Sequence, residues 1–208
     1  TLTLSAGQGF VAIPGTTYTL EGLTEDALGF KSISGTSRDG RPVIKIVDDG
    51  KEKKEVPVYG HEIITNPKRV DKPWGHELWI SWLRDYHVLK QIYMTSGRMS
   101  SLQLHRHKLE TNYLIEGEAE VIDGYKIDLS LPEEEMKRIA QNIDWNNYKT
   151  LKTPGMHWTS VPGTVHRVIS KTSYTAYETS TPELDDVIRL SDVTQRPSGR
   201  IESEHFTS

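Results

Sequence analysis

The 208-residue chain has no cysteine. Disulfides and thiolate ligands are therefore excluded, and any metal must be held by His, Glu or Gln. Positive charge is not in excess: 25 Lys and Arg stand against 29 Asp and Glu, a formal net charge of -4. Such a balance offers no basic field to nucleic acid or to an anionic membrane, so a small metabolite is the expected partner. Long apolar runs are also missing. Nothing approaches the roughly 20 residues that cross a bilayer, and the opening TLTLSAGQGF lacks the basic start and apolar core of a secretory leader. A cytoplasmic protein is expected, with one sizeable core, or one core and an N-terminal arm.

What is present is mostly β chemistry. From His76 onward, HELWISWL, HVLKQIYM, MSSLQLH, TNYLIEG and EAEVID are short runs of aromatic and branched residues separated by RD, SGR and EG. MHWTSVPGTVHRVIS and SYTAYETST continue the pattern, and so many closely spaced strands predict a sandwich or barrel. One interruption, LPEEEMKRIAQNIDWNN at 131–147, predicts a helix of about two to three turns: Pro132 suits a first turn and Glu133, Glu134 and Glu135 suit the positive end of the helix dipole. Residues 1–71 are an N-terminal β-rich extension carrying no motif, with GTSRDGRP and DDGKEKKE as solvated turns. PELDDVIRLSDVTQRPSGR is expected as a short polar element crossing the barrel mouth, and 197–208 as a frayed tail.

Two segments concentrate chemistry. GRMSSLQLHRHKLETNYLIEG, Gly97 to Gly117, sets Gln103, His105 and Glu110 between two glycines, and VPGTVHR delivers His166 after a Pro162-Gly163 turn. A strand His or Glu is ordinarily structural or solvated. If both segments are antiparallel strands of one barrel, however, their nitrogens and oxygens converge as a divalent cation requires. His107 alternates with His105 and so shares its face if the strand continues; it is then a ligand in place of Gln103, or a proton carrier beside the metal. With Gln103 neutral, one carboxylate faces the cation and the site stays Lewis acidic. The cations near the motifs are Lys90, Arg98, Arg106, Arg167, Arg189 and Arg196, whereas His61, His76, His87, His157 and His205 have no partner at ligand spacing.

The spacing of Gly97, Gln103, His105, Glu110 and Gly117 resembles the first motif of the cupin superfamily, with Gln where the first His is usual, and PGTVH resembles the core of the second. More narrowly, KPWG at 72–75, SLQLHRHKLETNYLIEG, VPGTVHR and DDVIRLSD resemble the cupin domain of type II phosphomannose isomerases. The resemblance implies an all-β fold, the cupin double-stranded β-helix or jelly-roll barrel, over 72–196, with the inserted helix as a departure. It implies a divalent metal on Gln103, His105, Glu110 and His166, zinc first, with iron, manganese, cobalt or nickel also suited to the donors. It also implies an aldose-ketose isomerase of a phosphorylated sugar, interconverting mannose 6-phosphate and fructose 6-phosphate. In that scheme His107 and Arg196 are catalytic, and Lys90 and Arg189 bind substrate. Thr194 and Gln195 stand where the family has Tyr and Gly, next to Arg196. A metal-dependent oxygenase or lyase, or a sugar-binding cupin without turnover, are the other expectations. A homodimer paired through its sheets is expected, with the N-terminal arm supplying strands.

Overall fold

The computed structural model describes residues 66–83 and 87–202 continuously and, before them, Thr3 and six short strands. These are β1 (Gly9–Ala12), β2 (Val43–Ile44), β3 (Val47–Asp48), β4 (Lys51–Glu52), β5 (Val56–Pro57) and β6 (His61–Ile64). They pair antiparallel as β1 with β6, β2 with β5 and β3 with β4. The GTSRDGRP turn and the side chains of the KEKKE run lie outside the described residues.

The remaining strands are β7 (Lys68–Lys72), β8 (Gly75–Leu83), β9 (His87–Met94), β10 (Leu102–Leu104), β11 (Glu110–Glu116), β12 (Ala119–Lys126), β13 (Lys149–Lys152), β14 (His157–Ser160), β15 (Thr164–Ser170), β16 (Tyr174–Ser180) and β17 (Ile188–Ser191). They form two antiparallel sheets, in the orders β14-β11-β16-β9-β8-β7 and β13-β12-β15-β10-β17. Taking the eight strands β9 to β16 in sequence, the first, eighth, third and sixth make one sheet, and the second, seventh, fourth and fifth make the other. That is the jelly-roll order, the all-β double-stranded helix expected from the sequence. No helix among the described residues is long and apolar enough to cross a membrane.

Alternation along the strands builds the interior. On β9, Ile92 and Met94 point inward; on β16, Tyr174 and Ala176; on β11, Leu114. With Trp74, Ala119, Val121 and Trp158 they make an apolar plug between the sheets. Trp74 of the KPWG block is thus a packing residue, as its sequence context suggests. Gly117 joins β11 to β12 at φ +84, where a Cβ would lie 2.2 Å from the Ser173 carbonyl oxygen. Only glycine permits that approach.

The inserted helix α1 spans Glu133–Gln141, with Pro132 at the N-cap position and the three glutamates in its first turn. Its buried Met136 and Ala140 pack on Leu102, Leu104, Ile122, Val165, Ile188 and Leu190, which are the outward side chains of the second sheet. The insertion thus covers the outer face of that sheet. The polar DDVIRLSD element forms strand β17 instead of a mouth-crossing segment, pairing with β10 through Leu102↔Ser191, Gln103↔Arg189 and Leu104↔Ile188. Its apolar Ile188 and Leu190 face α1, leaving Arg189 for the inside.

Candidate metal centre

The two sheets bring the paired sequence blocks together. Gln103 on β10 is the register partner of His166 on β15, and Glu110 opens β11 in the opposite sheet. Gly163 holds the second block in place: at φ +78 it turns the chain, and its N–H donates to the His105 carbonyl at 2.8 Å. His105, Glu110 and His166 are buried, and one donor atom from each lies within 4.8 Å of the others.

Each imidazole is oriented by its far nitrogen. Nδ1 of His166 donates to the Thr164 carbonyl at 3.0 Å, and Nδ1 of His105 to the carbonyl of Asp186. Both Nε2 atoms therefore turn toward Glu110, that of His166 at 3.2 Å from Oε1 and that of His105 at 3.6 Å from Oε2. His105 Nε2 is buried with no hydrogen-bond partner. An orphaned acceptor beside a second imidazole and a carboxylate fits a divalent cation, because backbone-anchored Nδ1 atoms are how metal-binding histidines are held.

The two imidazoles are shifted in opposite directions. Burial, with Lys108 beside it, pushes the His105 imidazole down to about 3, so it is neutral at physiological pH. Burial also disfavours charge on His166, but Glu110 outweighs burial and raises its value above the ordinary one. Glu110 is held well below the carboxylate range against the effect of its own burial, first by Lys108 and then by His166.

Gln103 presents its amide nitrogen to His166 Nε2 at 3.2 Å, while its Oε1 accepts from Ser101 Oγ at 2.6 Å. A half-turn of the amide, with Ser101 Oγ then accepting, puts the carbonyl where a ligand oxygen belongs.

A cavity of about 120 Å³ opens on this group, lined among others by Lys72, Lys90, Lys108, Arg189 and Arg196, with Glu77, Glu110 and Glu178 as its carboxylates. Lys90 lies 3.2 Å from Glu77, 4.0 Å from Glu178 and 4.9 Å from the centre of a Trp79 ring. Burial pushes the Glu77 carboxyl up, but Lys90 and Lys72 outweigh it and hold it at about 2. Arg189 donates to the Pro197 carbonyl, and Arg196 bonds Asp192 Oδ2 through Nε at 3.0 Å and Nη2 at 2.7 Å. Arg167 is structural, donating to the Ser100 and Ser191 carbonyls, and Arg106 to that of Leu129. Arg98 and His157 are exposed, and His76 stacks on Tyr93.

His107 requires a correction. Its imidazole is exposed and outside the cavity lining. Parity fails because β10 ends at Leu104 and the chain bends at Arg106 and His107. Asp186 fixes that bend: its carboxylate accepts the backbone N–H groups of Arg106, His107 and Lys108, at 3.1 Å for the first and 2.9 Å for the last. The bend sends Lys108 inward, where Nζ bonds Glu110 Oε2 at 2.6 Å and Glu178 Oε1 at 2.9 Å. Lys108, Glu178, Glu77 and Asp186 are the site residues that sequence reasoning passes over. A charged residue at an inward parity position, as Glu178 is in YTAYETS, is the signal that would have found most of them.

No protein-family model and no curated protein matches the chain. Among solved structures, it is similar to KdgF from Halomonas sp., at 13% identity and a TM-score of 0.42, covering 57% of this chain and 90% of that one. It is similar to an RmlC-like cupin from Shewanella frigidimarina, at 18% identity and a TM-score of 0.42, covering 57% and 86%. A sugar phosphate isomerase of the cupin superfamily from Silicibacter pomeroyi matches at 14% identity and a TM-score of 0.36, covering 51% and 58%. At these values the fold assignment rests on the strand order itself.

Proposed function

We propose that the chain is a metal-dependent aldose-ketose isomerase of a phosphorylated sugar, with mannose 6-phosphate and fructose 6-phosphate as the pair its sequence resemblance suggests. The observation that carries this reading is the orphaned His105 Nε2, set with His166 and Glu110 at the wall of a cavity whose charged lining is five cations against three carboxylates. Such a lining favours an anionic substrate. His105, Glu110 and His166 hold the cation, with Gln103 joining them after its amide turns. Zinc is the first candidate, and the donor set suits iron, manganese, cobalt or nickel as well. The cation supplies Lewis acidity at a carbonyl.

The chain's own residues do the rest. Arg189, beside Gln103 on one sheet, and Lys90 on the other supply charge for the phosphate, whose remote binding positions the reacting carbons. Arg196 in this reading orders the mouth through Asp192. With His107 outside the cavity, Glu178 takes the proton from C2 and returns it to C1, while the hydroxyl proton of O2 passes to O1. It is the lining carboxylate that belongs neither to the ligand group nor, like Glu77, to the Trp79 indole bond.

The test is fructose 6-phosphate formation from mannose 6-phosphate by metal-loaded protein in deuterated water, with and without chelator. Chelator-sensitive turnover with deuterium entering the sugar supports the reading. Binding without exchange makes the protein a sugar-binding cupin, and oxygen uptake with iron makes it an oxygenase.

A further inference from the structure

Lys108 is a charged cavity group that the isomerase scheme leaves idle. It is buried beside the ligand group, on the segment that Asp186 pins through backbone hydrogen bonds. An ammonium has three protons. Two of them are committed, one to Glu110 Oε2 and one to Glu178 Oε1. The third has no partner among the described residues, and the side chain lines the cavity.

Glu110 is thereby divided. Oε1 faces the His166 imidazole at 3.2 Å, whereas Oε2 is taken by Lys108 at 2.6 Å. One carboxylate oxygen remains for a cation, and a second, fixed positive charge stands beside it. A neutral carbonyl has little use for that charge. An oxygen that becomes negative next to a carbonyl or hydroxyl does.

We propose that Lys108 is a ligand-contacting residue whose third proton is donated to the negatively charged oxygen of a vicinal oxygen pair, as in an enediolate. This deepens the isomerase reading and rests on it. The ligand class follows from the geometry: small anions with two adjacent oxygens, preferred over simple carboxylates. The two carboxylates on Lys108 keep its charge and aim in place without ligand, so the contact requires no rearrangement of the chain.

The experiment uses protein saturated with Co²⁺ and titrated with acetohydroxamate, or with acetate, while the visible spectrum of the cobalt is followed. Wild type should prefer acetohydroxamate, and Lys108→Met should weaken it by about tenfold or more, with acetate affected less. Equal acetohydroxamate affinity in the variant and wild type, or no acetohydroxamate binding by wild type, overturns the proposal. If Lys108→Met does not fold, Glu178→Gln serves: it loosens the hold on Lys108 and should tighten acetohydroxamate, and no change would again overturn the contact. Sugar turnover is scored separately. Turnover with an unaltered Lys108→Met titration removes Lys108 alone, and a weakened titration without turnover removes the isomerase alone.

Discussion

Strands β9, β11 and β16 each run through two unlike interiors. At one end their register sets Met94 against Tyr174, and Ala176 against Ile92 on one side and Leu114 on the other, all in one apolar cluster. Two residues further along the same strands, Lys90 faces Glu178 and Glu178 faces Asn112; then Ser180 faces Glu110. The backbone is the same in both halves. The apolar half contributes the burial that holds the sheets together, at roughly 1.5–3 kcal/mol per large side chain. The charged half contributes little net stability, since desolvation of buried ions offsets their attraction. Lys90, Lys108, Glu77, Glu110 and Glu178 pair with one another at this end of the interior, next to the candidate ligands.

The comparison can be broken first at its apolar half. Leu114→Ala should remove about 3–5 kcal/mol of stability in denaturant unfolding, with Co²⁺ affinity of the folded fraction unchanged. A loss of metal affinity at constant stability would show that the halves are not separable. On the outer face, Met136→Ala should remove about 2–4 kcal/mol and leave both metal and ligand binding as they are, because α1 touches the far side of the second sheet. At the charged half the signs reverse: Asp186→Ala, which releases the 105–108 bend, should weaken Co²⁺ by about 10- to 100-fold with a smaller change in unfolding free energy.

The smallest effect is the pH dependence, and its sign follows from the two histidines. His166 carries a raised value, so its pairing with Glu110 stabilises the metal-free protein fully below about pH 6.5 and is lost as pH rises through the folded value. A cation must displace that proton. Co²⁺ affinity should therefore rise by about tenfold per pH unit below the folded value and level off above it. His105, pushed down to about 3, adds no second proton in that range. A slope of two protons would contradict the asymmetry between the imidazoles.

Much of this was legible in the chain. The block spacings placed Gln103, His105, Glu110 and His166 together, and the composition of HVLKQIYM and SYTAYETST marked β9 and β16 as strands. Parity misled at His107 because three backbone hydrogen bonds to one Asp186 carboxylate end the strand there, and side-chain patterns carry no trace of such bonds. Lys108 was invisible because a lysine among charges reads as solvated until its two carboxylates are seen around it. The helix was legible, but its apolar stripe reveals that it packs, not on which face. KTLK, mostly polar, forms β13 because β12 and not its own composition pairs it.

The most direct test of the account is a count of ions. Protein dialysed against excess Co²⁺ and then against buffer should retain about one ion per chain by elemental analysis, and His166→Ala, folded by circular dichroism, should retain none. An ion held equally by the variant, or no ion held by wild type, would contradict the claim that His105, Glu110 and His166 form a metal centre.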